Sequence, residues 1–125
     1  MDVVREALNI LKLVLQARAP YDTGNLALNS IRIVGNAVYI GGEIADYAIY
    51  TNEPWLSSKW NGAKNPNEGW VQAAIHEAVP VIQMALNGKA TIEDIENAKQ
   101  YYADAIEERK RELIEKLKEL RDAII

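Results

Sequence analysis

Apolar residues recur at three- and four-residue intervals toward both ends of this chain and alternate with polar ones only in a short stretch between, a largely helical pattern with an extended insert. Val3, Val4, Ala7, Leu8, Ile10, Leu11, Val14 and Leu15 predict an amphipathic helix over residues 2 to 18. Pro20 ends it, because proline lacks an N–H and disfavours helical geometry at Ala19. Asp22 and Thr23 can bond nearby backbone N–H groups and Gly24 can take a positive φ, so a sharp capped turn is expected there. The period then becomes alternating: Leu28, Ser30, Arg32 and Val34 against Asn29, Ile31 and Ile33. With Gly35-Asn36 as a two-residue turn, this predicts a β-hairpin over roughly residues 28 to 34 and 37 to 42. A hairpin alone is marginal in water, so it must pack on the helices or pair with another strand, and its edge invites a neighbouring subunit.

Ile44, Tyr47, Ala48 and Tyr50 suggest one or two helical turns over 43 to 50, after which residues 51 to 69, rich in Asn, Pro, Ser and Gly, read as a long loop. That loop holds Trp55 and Trp60, which either fold back as a lid on the protein's own core or anchor a subunit or partner contact. A second helix is expected from Trp70 to Leu86, with Asn67 near its cap, a kink between His76 and Val79 caused by Pro80, and a stop at Asn87-Gly88. Thr91-Ile92-Glu93-Asp94 opens a third helix with a hydroxyl cap and an acidic first turn. Run to residue 125, it would be about 50 Å long at about 1.5 Å per residue. Ile95, Ala98, Tyr102 and Ile106 mark its first half. Beyond the charged run from Glu107 to Glu112, Leu113, Leu117, Leu120 and Ile124 form a short coiled-coil-like seam. Either the seam packs antiparallel on the first helix or it projects for assembly; partial docking with an exposed distal portion is the favoured reading. The fold class is α+β: residues 1 to 90 as a core domain and residues 91 to 125 as a long C-terminal helix extending from it.

Composition narrows the function. A hydrophobic content of 49% in 125 residues suffices for one core. The absence of cysteine removes disulfides, thiolate metal sites and cysteine nucleophiles, and suits a reducing cytoplasm. The charges within the first helix argue against a secretory signal or membrane span, so a soluble protein is expected. A net charge of −4 disfavours gripping of nucleic-acid phosphates, and no sequence-specific nucleic-acid partner is expected.

Catalytic chemistry finds little footing. His76 is the only histidine, and its neighbour Glu77 points about 100° away on a helix, so neither a Ser-His-Asp relay nor a histidine-rich metal site emerges. Asp22, Glu43, Asp46 and Glu53 could converge on a divalent ion and support a hydrolase, but their spacing does not resemble a calcium loop. Gly41-Gly42 lacks the helix-opening context of a phosphate site. No catalytic residue, metal or cofactor is assigned. A small-molecule or protein binding module, with a pocket under the Trp55 and Trp60 loop, is the alternative to an assembly role.

The order of motifs carries a resemblance. Pro20-Tyr21-Asp22-Thr23-Gly24-Asn25-Leu26 after a helix, then Ser30 in a strand, Tyr47-Ala48-Ile49-Tyr50 with Glu53, and Trp70 opening a helix resemble the tail-completion or head-tail joining proteins of long-tailed bacteriophages. The likeness spans roughly residues 1 to 87. It departs at Ala27, where a basic residue is common, and at Glu53-Pro54-Trp55-Leu56, which replaces a Glu-x-Gly-Thr ending. The resemblance implies a ring-forming structural protein of a phage or prophage, found in the virion or the host cytoplasm. It would contact itself and neighbouring neck or tail proteins. Pro20, Asp22, Thr23, Gly24 and Leu26 would form a structural turn, and Tyr47, Tyr50, Trp55, Trp60, Leu113, Leu117 and Leu120 are candidate interface residues.

Overall fold

The computed structural model describes residues 3–20, 25–42 and 69–124. The expected short helix over 43 to 50 and nearly all of the loop from 51 to 69 lie outside them. The described elements are α1 (Val3–Arg18), a π-helical turn (Asn25–Asn29), β1 (Arg32–Val34), β2 (Ala37–Tyr39), α2 (Trp70–Leu86) and α3 (Ile92–Ile124). Three helices and a small antiparallel hairpin make an α+β fold, as the pattern predicts.

The hairpin is shorter than expected, and its approach is helical. Residues 28 and 29 belong to the π-turn, and pairing is confined to Arg32 with Tyr39, Ile33 with Val38 and Val34 with Ala37. Leu26, Ala27, Ser30 and Ile31 are all buried, a spacing that alternation cannot place on one side but a helical turn can. The buried Ser30 hydroxyl donates to the Leu26 carbonyl at 2.6 Å and accepts from the Gly41 N–H at 3.2 Å. Such back-bonding competes with a strand ladder and locks the turn to the far end of the hairpin. Gly35 takes the positive φ (61°) that the two-residue connection requires.

Two caps bracket the connection between α2 and α3. At the end of α2, the Gly88 N–H donates to Ala85 O and the Lys89 N–H to Met84 O, with Gly88 at φ 68°, a Schellman arrangement that satisfies the last carbonyls. At the start of α3, the Asp94 N–H donates to Thr91 Oγ1 at 3.1 Å and the Thr91 N–H to an Asp94 carboxylate oxygen at 3.0 Å, a reciprocal capping box. Those bonds hold the Asp94 carboxyl below its ordinary pKa, the one from the Thr91 backbone most of all. The start of α2 differs from expectation: its cap position is Gly69, left-handed at φ 74°, with no side-chain cap bond, while Asn67 lies outside the described residues. The helix continues through Pro80. The proline removes the N–H that the His76 carbonyl would otherwise accept.

The tight connection turns α2 back antiparallel to α3. α1 runs parallel to α3, not antiparallel: Lys99 Nζ meets Glu6 at 3.1 Å near the start of both, and Arg109 donates to Ala17 O and Ala19 O, both at 2.9 Å, at the end of α1. With α2 between them in direction, the order is up-down-up, with a short connection from α2 to α3 and a long one, residues 19 to 69, from α1 to α2. The core collects Ile10, Val14 and Leu15 from α1, Leu26 and Ala27 from the π-turn, Trp70, Ala74 and Ala78 from α2, and Ile95, Tyr102 and Ile106 from α3. Ala74 and Ala78, one turn apart and fully buried, leave room for a close helix approach.

Candidate functional site

Where the three helices meet, a polar cluster ties them together. Arg18 of α1 grips Glu77 of α2 through Nε and Nη2, both at 2.8 Å, and the Tyr102 hydroxyl of α3 donates to the same carboxylate at 3.0 Å. The fork matches a carboxylate's two oxygens. Its hydrogen bonds hold the Glu77 carboxyl below its ordinary pKa against the opposing effect of burial. Burial first, then the bond to Glu77, pushes the Tyr102 hydroxyl up to about 12. Glu77 is thus ionised and Tyr102 protonated across the neutral range, so neither is poised to exchange a proton there. The cluster is a fastening. Among the described residues no group of three or more His, Cys, Asp or Glu is arranged to hold a metal, and Asp22, Glu43, Asp46 and Glu53 lie outside them.

The surface is more informative. Each strand of the hairpin has a single partner among the described residues, and Val34 and Tyr39 are exposed. Arg32 lies over the Tyr39 ring at 5.7 Å, with its guanidinium donating to Ser30 O and Gly41 O. A second surface lies on α2. Glu77 and His76 are the only ionisable side chains in its 17 residues, and a helix apolar nearly all round is ordinarily buried. Yet Ile75, Val79, Met84 and Leu86 are exposed, and Ile75, Val79 and Leu86 follow one line about 100° round the helix from Ala74 and Ala78. Sequence reasoning read this span as a helix and did not separate its exposed apolar positions from its buried ones. The near-absence of charge around the whole helix is the signal that could have distinguished them.

The third surface is the distal part of α3. Leu113 is half-buried, while Ile114, Leu117 and Leu120 are exposed, so the helix docks in its first half and projects in its second, as the favoured sequence reading has it. Arg109, on the carbonyls that end α1, marks the boundary. Beside it an open groove of about 500 Å³ runs between α1, the π-turn and α3, lined among others by Leu13, Leu28, Ile106, Glu107 and Lys110.

Of the turn residues, Pro20 is half-buried just past α1 and Leu26 is 2% exposed in the core; Asp22, Thr23 and Gly24 lie outside the described residues. So do Tyr47, Tyr50, Trp55 and Trp60. Among the described residues no helix is long and apolar enough to cross a membrane. Compared with known proteins, the chain matches no protein family, no curated sequence and no solved structure.

Proposed function

We propose that this chain is a structural subunit of a bacteriophage or prophage head-tail connection or tail-completion assembly, which works by geometry rather than by a chemical step. The observation that carries an assembly role is α2: a helix almost without charge that leaves Ile75, Val79, Met84 and Leu86 in water, the kind of surface a neighbouring subunit covers. The hairpin, two-stranded among the described residues, offers backbone donors and acceptors for sheet extension between copies. The phage assignment rests on the order of sequence motifs. The burial of Leu26 and Ser30 fits a turn that serves as a joint between α1 and the hairpin. A closed ring uses one surface of each copy against a different surface of the next, so α2 and the hairpin edge can serve as the two complementary faces.

Native mass spectrometry and electron microscopy, at high concentration and with neck or tail proteins encoded beside it, test the proposal. Closed oligomers are expected, and Val79→Asp should abolish them without lowering the thermal midpoint of the isolated chain. A chain that stays monomeric alone and binds none of those proteins overturns the reading.

A further inference from the structure

The distal part of α3 carries a feature that the ring proposal does not use. From Ile95 to Ile124 the apolar line advances through Ala98, Tyr102, Ile106, Arg109, Leu113, Leu117 and Leu120 in steps of three, four and four, a period that keeps it nearly straight on one helix face. Its first half is covered by α1 and α2. Its second half continues in register from half-buried Leu113 to Leu117 and Leu120, which are exposed.

The charges that flank this exposed line most closely are all of one sign. At about 100° per residue, Arg109, Lys110, Lys116 and Arg121 fall within about 80° of the Leu113–Leu117–Leu120 line, and all are basic. Glu107, Glu108, Glu112, Glu115, Glu119 and Asp122 fall farther round, where they are mixed with Arg111 and Lys118. A second copy is a poor occupant. Parallel pairing would set Lys116 against the Arg121 of the other copy, and antiparallel pairing offers these cations no carboxylate. The segment is electrically balanced as a whole, which weakens attraction to an anionic membrane relative to a partner that meets only the basic flanks.

We infer that distal α3 is the docking strip for an amphipathic helix of another protein, whose apolar seam is flanked by carboxylates. The groove beside Ile106 and Lys110 receives the end of that helix and extends the contact onto the folded body. This inference rests on the reading of the chain as an assembly subunit but does not need the phage assignment.

The probe is a synthetic three-heptad helix with leucine at its core positions and glutamate at its flanking positions, paired with a twin carrying lysine at those flanks. Fluorescence anisotropy against the full chain should show binding of the glutamate peptide and at least about tenfold weaker binding of the lysine twin. Lys116→Glu with Arg121→Glu should reverse the preference. These exposed sites leave the core intact, so an unchanged thermal midpoint accompanies the reversal. Equal binding of both peptides, no binding of either at about 1 mM, or a preference for anionic vesicles that Leu117→Asp removes would overturn the inference. So would self-association through this strip, detected by sedimentation and abolished by Leu117→Asp. Rings that persist when the peptide fails to bind separate its failure from failure of the ring proposal.

Discussion

In α3, Ile95, Tyr102 and Ile106 in the proximal half lie on the same helix face as Leu113, Leu117 and Leu120 in the distal half. The first three are at most 7% exposed, whereas Leu117 and Leu120 are 52% and 54% exposed. Pattern and helix propensity carry through both halves; the neighbours do not. α1 ends at Arg18, and the Arg109 guanidinium closes its last carbonyls, so no described residue beyond them offers the seam further helix surface on that side. The comparison teaches that an amphipathic stripe records a need for a partner without saying whether that partner is internal. The charges help to decide: Lys99 on the buried half reaches Glu6 across the interface, while Lys110 and Arg111 on the distal half pair with Glu107 and Glu108 of their own helix.

The contrast breaks most directly by truncating one residue from each half. Ile106→Ala should cost about 2 to 4 kcal/mol by opening a cavity in the core, and Leu117→Ala less than about 0.5 kcal/mol, both read from urea unfolding. Comparable losses would mean that the isolated protein buries the distal seam after all. A smaller effect is expected at the boundary. Arg109→Ala removes two charge-assisted bonds to the end of α1 and should cost about 1 to 2 kcal/mol, with amide-exchange protection on α3 retreating toward residue 102. Protection that still stops near 109 would deny Arg109 its part in setting that limit.

The smallest effect is in pH. Glu77 titrates below the ordinary carboxylate value when folded, so its contribution is present above about pH 4.3 and is lost as pH falls through the folded value. Tyr102 is raised, so its contribution is complete below about pH 10 and is lost as pH rises toward about 12. Partial exposure of Glu77 limits each effect to under about 1 kcal/mol. Chemical denaturation should show both shoulders, Glu77→Gln flattening the acid one and Tyr102→Phe the alkaline one. Shoulders unchanged in the variants would place the titrating groups elsewhere.

Much of the architecture was legible because local chemistry determined it. Pro20 after α1, Gly35-Asn36 in the hairpin, Asn87-Gly88 after α2 and Thr91 before α3 each impose a conformation within a few residues. The approach to the hairpin was not legible, since Ser30 chose the Leu26 carbonyl and the Gly41 N–H over a place in the ladder, and Gly41 is distant in sequence. Helix direction also escaped, because α1 and α3 could satisfy the same stripes parallel or antiparallel until Glu6, Lys99 and Arg109 fixed the choice. The exposed seam at Leu117 and Leu120 could be recognised from its rhythm. Ile75 and Val79 could not, because an apolar residue on a helix reads as core whichever side it faces.

Arg109 also sets the mechanics of the long helix. From Ile95 to Arg109 the helix is clamped to the body, and from Lys110 to Ile124 it projects past the end of α1, two arms of about 21 Å each at about 1.5 Å per residue. It is a balanced lever with its fulcrum on the end of α1, so a sideways pull at the tip is met at Ile95 by a reaction of about the same size. Ile95 sits one turn from the Thr91 cap, beside the connection to α2. A partner seated on the distal strip could therefore tilt that corner of the protein without touching it.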